Sequence, residues 1–199
     1  LATVAACGVH KFRLVAHSMG GAVALDIASR AGTGLERIAL FGAVGLGRIP
    51  LAPLLRFLTP GFAARVIPWL LTRSVIRIVL RIAFGTRDRP VERDVDEYWA
   101  PTQFNDFALA CRACIHAVEL GRASSGMLQS LDVPVLVIAG GRDWMVRDVA
   151  AGGRMIPGAR VIEIPETVHL AIQERADLCN RELLSFLGPA DDQFVTPRD

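Results

Sequence analysis

Four short apolar runs, each bounded by polar or turn-forming residues, govern what this chain can fold into. They are Phe12–Ala16 (FRLVA), Leu35–Val44 (LERIALFGAV), Val133–Ala139 (VPVLVIA) and Arg160–Ile164 (RVIEI). Runs this short suit buried strands rather than helices. Helical patterns separate them. Gly20–Arg30 sets Val23, Leu25 and Ile27 in a helical segment that stops at Gly32. Arg147–Met155 reads as a short helix closed by Pro157-Gly158, and Leu170–Leu187 as a final amphipathic helix ended by Gly188-Pro189. Alternation of this kind predicts an α/β fold, a mostly parallel sheet covered by helices on both faces.

Between the second and third runs the pattern changes. From Gly45 to Arg87 there are seven arginines and no acid, and from Asp88 to Asp106 six acids and two arginines. Helical periodicity replaces strand-like runs throughout that stretch. The expected division is therefore a core over 1–46, an inserted helical segment over 47–129, a second part of the core over 130–188 and a loose polar tail over 189–199.

Composition excludes several classes. With 52% apolar and 21% charged residues the chain can bury enough surface to fold, so disorder is ruled out. A net charge of +2 gives no reason to expect nucleic acid as a partner. The longest stretch without Asp, Glu, Lys or Arg is Leu14–Leu25, 12 residues, too short to span a bilayer. Four cysteines in 199 residues argue against a disulfide framework and for a reducing, cytoplasmic setting. Cys111 and Cys114 lie in a helical stretch, Asn105–Leu120, with no second ligand pair and no strand-to-helix junction, so they read as packing residues rather than a metal or redox site.

Ser18 carries the strongest chemical signal. It stands between a predicted strand and a predicted helix in Ala16-His17-Ser18-Met19-Gly20-Gly21. A nucleophilic serine on so sharp a turn needs small residues two before and two after it, where strand and helix nearly touch. Of the seven serines only Ser18 has Ala or Gly at both places. A serine that merely caps the next helix needs neither. Gly21 lets that helix pack close.

LVAHSMGGAVAL resembles the nucleophile elbow of the α/β-hydrolase superfamily, usually Gly-x-Ser-x-Gly, with Ala16 in place of the first glycine. The resemblance implies a triad in the order nucleophile, acid, histidine. It places the acid after the strand that follows the insertion, at Asp143 in Gly140-Gly141-Arg142-Asp143, with Asp148 and Asp132 as weaker rivals. An acid after the preceding strand is closed off, because Phe41–Gly47 contains no carboxylate. The base is expected after the last strand, at His169, with Val168 where relatives often have glycine. His10 precedes the first strand, His17 lies in the elbow and His116 in the insertion, so all three fit badly as the base.

The implied chemistry is serine hydrolysis of a small hydrophobic carboxylic ester or related acyl compound, with no metal and no organic cofactor. Met19 N–H would supply one oxyanion donor. The same triad serves carbon–carbon bond hydrolases and cofactor-free perhydrolases, and a non-catalytic binding protein on this fold is the reading from a different class. Dehalogenase and epoxide hydrolase relatives use an aspartate nucleophile, which Ser18 argues against. The inserted helices are expected to form a lid. His17, Trp69, Trp99, Phe104 and Trp144 are the candidate substrate-binding residues. Phe62–Phe84 carries Arg73, Arg77 and Arg81 at i, i+4 spacing, which would suit contact with a membrane or lipid. A lid helix with a solvated arginine edge is the favoured reading, because Pro68 breaks the segment and 21 of the 22 basic residues are arginine. Only eleven residues precede the first strand, and no His-Gly-type loop for a second oxyanion donor precedes the elbow. The chain is thus expected to be a shortened part of a longer enzyme, with its first strand an exposed apolar edge, poor folding and little activity.

Overall fold

A computed structural model describes residues 1–30, 32, 34–62, 67, 69–86, 89–117 and 123–188. Its elements are α1 (Ala2–Ala6), β1 (Phe12–His17), α2 (Gly20–Ala28), β2 (Leu35–Phe41), α3 (Ala52–Leu58), α4 (Arg73–Ala83), α5 (Glu92–Trp99), α6 (Phe107–Ala117), α7 (Ser125–Gln129), β3 (Val135–Gly140), α8 (Val149–Gly153), β4 (Arg160–Ile164), α9 (Ala171–Glu174) and α10 (Ala176–Leu187). The four strands form one sheet in the order β1-β2-β3-β4, and every pairing is parallel. The strands therefore all point the same way, and their carboxyl ends line one edge.

Successive side chains of a strand face opposite sides of the sheet, so a strand covered on both faces must be apolar at every position. The middle strands obey this. Ile38 and Leu40 of β2, with Val135, Val137 and Ala139 of β3, pack against Ala24, Leu25 and Ala28 of α2, Leu128 of α7 and Val149 of α8. Ala39, Phe41, Leu136 and Ile138 face the other way, onto Ala171 of α9 and Cys179 of α10. The two outer strands have one partner each and are correspondingly less buried. Val15 of β1, at one margin of the sheet, is 42% exposed, while the other residues of that strand are half-buried.

The segment between β2 and β3 supplies α3 to α7. On α4, Ile76, Leu80 and Ala83 face inward and join Phe84 and Val95 in a third apolar cluster, while Val75, Ile78, Val79 and Ile82 are exposed. The segregated charges of this region have a physical use. Arg73 pairs with Glu92 and Asp96, and Arg77 reaches Glu92 at 2.7 Å, so the basic α4 lies along the acidic α5. Two of the three arginines expected on a solvated edge are thus ion-paired. Pro68, the tail over 189–199 and the end of the predicted Asn105–Leu120 helix lie outside the described residues. Among the described residues no helix is long and apolar enough to cross a membrane. Cys111 and Cys114 are free thiols, half-buried on α6.

Local chemistry explains where the elements depart from the predicted bounds. β2 ends at Phe41 because Gly42 takes φ +50° and turns the chain. β3 begins after Pro134, which offers β2 its carbonyl (Ile38 N–H, 3.1 Å) but has no N–H of its own. α8 starts only at Val149, since Asp148 has φ +67° and Arg147 bridges back to Arg48. The final helix breaks at Arg175 (φ −130°, ψ 52°), giving α9 and α10. The short α1 was not foreseen; three of its five residues are alanine.

The close approach beside the elbow falls on Gly21. A methyl there would overlap the Ala43 side chain and come within 2.9 Å of the Ala43 Cα, whereas one at Gly20 would meet only the Ala16 Cβ, at 3.8 Å. Gly21→Ala should lower stability by about 1–3 kcal/mol, the usual cost of overpacking. Gly20→Ala should change it by less than about 1 kcal/mol, since alanine favours a helix over glycine. Urea denaturation midpoints of the two variants check this contrast.

Candidate active site

Because the strands are parallel, the loops that follow β1, β3 and β4 open at the same edge, and each brings one side chain to it. Ser18 follows β1 directly and has φ +52°, a region costly for any residue with a Cβ, on the order of 1–2 kcal/mol. Its backbone is held there by three hydrogen bonds of 2.9 Å: Ser18 N–H donates to the Phe41 carbonyl, and Gly21 N–H and Val44 N–H donate to its own carbonyl. The backward turn leaves Oγ 2.8 Å from Nε2 of His169.

Asp143 follows β3. Its Oδ1 accepts the Met145 and Val146 N–H groups, each at 2.9 Å, which locks the carboxylate and leaves Oδ2 for Nδ1 of His169 at 2.8 Å. Both residues are buried, Asp143 to 8% and His169 to 6% exposure. A carboxylate only accepts, so Nδ1 carries the imidazole proton and Nε2 presents its lone pair to the Ser18 hydroxyl. Gly42 makes room for this pair: a Cβ there would lie 3.3 Å from His169 Nδ1 and 3.5 Å from Asp143 Oδ2, besides occupying φ +50°.

His17 takes a part not foreseen for it. Its Nε2–H donates to the His169 carbonyl at 3.1 Å, with the two ring centroids 4.9 Å apart, so it ties the elbow to the histidine loop. Burial is the main influence on His17 and lowers its pKa below the ordinary 6.5; the bond to the His169 carbonyl pulls the other way. Met19 N–H, the next donor after Ser18, makes no backbone hydrogen bond among the described residues.

The rival groups are engaged elsewhere or face solvent. Asp148 accepts from Arg48 Nε at 2.8 Å, Asp132 and His10 are exposed, and His116 bonds to Thr59. Of the aromatic residues proposed to bind substrate, Trp144 donates its indole N–H to the Ile82 carbonyl at 3.1 Å, and Trp99 packs against the α4–α5 cluster. Trp69 and Phe104 are 84% and 75% exposed. Two neighbours of the site escaped the sequence reading, Gly42 and Glu174. A glycine inside an otherwise apolar strand run marks a bend or a close backbone approach, and that signal was present at Gly42. Nothing local distinguishes Glu174 from the chain's other acids.

Comparison with known proteins agrees with this fold. Residues 5–174 match the family described as serine aminopeptidase S33, and the chain belongs to that family of the α/β-hydrolase fold. A curated relative is the dihydrolipoyllysine-residue acetyltransferase component of an acetoin cleaving system from Pseudomonas putida, 28% identical over 181 residues. The alignment covers 90% of this chain but 46% of that protein, so the chain spans less than half of that relative's length. Among solved structures, a meta-cleavage product hydrolase from Pseudomonas fluorescens superposes with a TM-score of 0.75 at 19% identity, covering 93% of this chain and 67% of the other. A carboxylesterase from Bacillus subtilis gives 0.72 at 17% identity, covering 95% and 64%. Likeness at such identity establishes the shared fold.

The lowered pKa of His17 has a consequence for stability. Between the depressed value and 6.5 the unfolded chain binds more protons at this position than the native state, so this contribution is lost as pH falls through that window. His17→Gln keeps an N–H donor and removes the titration. Urea midpoints taken at about pH 7.5 and about pH 5.5 should therefore fall less in the variant than in the parent.

Proposed function

We propose that this chain carries the nucleophile of a serine hydrolase acting on a small hydrophobic ester or related acyl compound. The observation that carries the proposal is the unbroken path from Ser18 Oγ through His169 Nε2 and Nδ1 to Asp143 Oδ2, both links 2.8 Å long. In the proposed reaction the Ser18 proton moves to His169 Nε2 as Oγ bonds to the substrate carbonyl carbon. Asp143, anchored by two backbone N–H groups, orients the imidazole and stabilises the imidazolium that forms. Met19 N–H donates to the developing oxyanion. His169 then returns the proton to the leaving alcohol, and the acyl–serine bond is broken by a water that His169 deprotonates in turn.

The inserted helices would serve as the lid of this site. Leu170, next to His169, and Met145, two residues from Asp143, both pack into the α4–α5 cluster, so the insertion rests on the loops of the base and the acid. Trp69, Trp99, Phe104 and Trp144 remain candidates for an apolar substrate surface. Carbon–carbon bond hydrolysis by the same side chains is the competing reading, and a meta-cleavage product hydrolase shares the fold.

A fluorophosphonate probe tests the reading directly. Labelling should occur on the parent chain, vanish in Ser18→Ala and fall by roughly 10⁴-fold in Asp143→Asn, where the imidazole tautomer is no longer set. A folded parent that stays unlabelled would sink the assignment and leave a binding role. Once labelling is established, turnover of short acyl esters against a vinylogous diketone separates the two bond types.

A further inference from the structure

The carboxylate of Glu174 joins two parts of the chain that are far apart in sequence. Its Oε2 accepts the Gly85 N–H at 2.8 Å, just beyond the end of α4, and its Oε1 accepts the Val168 N–H at 3.0 Å, next to His169. Nothing larger than glycine fits at the first contact: a Cβ on Gly85 would lie 2.9 Å from the Glu174 carboxylate, 2.9 Å from the Glu166 carbonyl and 3.0 Å from a Val168 methyl. Further contacts converge on the same junction. Trp144, adjacent to Asp143, donates to the Ile82 carbonyl in the last turn of α4. Gln173 Nε2 donates to the Tyr98 hydroxyl of α5 at 3.0 Å. Phe84 is buried in the cluster that includes Leu170. The break at Arg175 ends α9 immediately after Glu174, separating it from the direction of α10.

We infer that Glu174 is a positioning residue that clamps the exit of α4 to the histidine loop, so that docking of the inserted helices and alignment of His169 on Ser18 are one event. The inference rests on the hydrolase reading proposed above and adds a coupling between the lid and the base. A carboxylate suits the task because both oxygens accept, whereas a glutamine would turn its NH₂ toward one of the two N–H groups. The His169 carbonyl is already tied to the elbow by His17, which leaves the Val168 side of the loop for the clamp to hold.

The test uses Glu174→Gln and Gly85→Ala, which disturb the same contact from opposite sides, singly and together. Fluorophosphonate labelling of Ser18 is followed per folded molecule, with the amide exchange of Gly85 and Val168 recorded alongside. Each single variant should label about ten- to a hundred-fold more slowly, as expected for a displaced catalytic group, and the double variant no more slowly than the worse single. Both amides should lose protection, and the midpoint of the pH–rate profile should shift in both variants. Gly85→Ala keeps the Glu174 charge, so a shift confined to Glu174→Gln would reflect charge alone and overturn the clamp. Parent-like rates per folded molecule, or effects that multiply in the double variant, would also overturn it. Should the folded parent itself not label, the hydrolase reading falls, and amide exchange alone judges the clamp. Deprotection of both amides in Glu174→Gln upholds it, and unchanged protection refutes it. If Gly85→Ala does not fold, the rate and exchange pattern of Glu174→Gln decide in the same way.

Discussion

In-register parallel pairing is the constraint on which the site depends. His17 sits opposite Phe41, Phe41 opposite Ile138, and Gly140 opposite Ile164, so the loops after β1, β3 and β4 leave the sheet at one level. A slip of one residue along β3 would turn every side chain to the other face and carry Asp143 away from His169. Full burial of Ile38, Leu40, Leu136 and Val137 opposes such a slip, because each has an apolar partner on its own face. Ser18 and His169, 151 residues apart, thus meet through strand register and not through any local contact.

The inserted helices are held by apolar contact more than by charge. The pairs of Arg73 and Arg77 with Glu92 and Asp96 are largely solvent-exposed, and exposed pairs contribute about 0–1 kcal/mol each. They set the alignment of α4 on α5 and discriminate against other packings. Attachment to the rest of the molecule comes instead from Ile76, Leu80, Phe84 and Val95 meeting Leu170 and Met145. Those last two residues lie beside His169 and Asp143, so the attachment falls on the same two loops as the proposed base and acid.

The sheet and the tight turn at Ser18 were legible in the sequence because each depends on a local pattern. Continuous apolar runs betray strands covered on both faces, and small residues around a serine betray a tight turn. That Asp143 and His169 would approach Ser18 followed from the order of acid and histidine that the family resemblance implies. What escaped depends on distant pairing. His17 bonds to a carbonyl 152 residues away, and Glu174 reaches Gly85 across 89 residues, separations that no periodicity encodes. A helix boundary was missed as well. The last helix is amphipathic through Arg175 as a sequence, yet it breaks there, between α9 under the histidine loop and α10 on the sheet. At the elbow the steric limit lies at Gly21, read from the sequence as the residue that lets the helix pack close, while Gly20 has room to spare.

Strain and constraint at the elbow support each other. A left-handed serine is stable only where its surroundings hold it there, and Ser18 is held by the Phe41 carbonyl and the Val44 N–H, on either side of Gly42. Gly42 itself has positive φ and passes against the His169–Asp143 pair. The same three residues of the β2 exit therefore keep the serine in its costly conformation and leave space for the imidazole. A side chain at Gly42 would press on His169 and Asp143 while disturbing the backbone that restrains Ser18. The second strand contributes none of the three side chains of the proposed site, yet its end sets the distance between them.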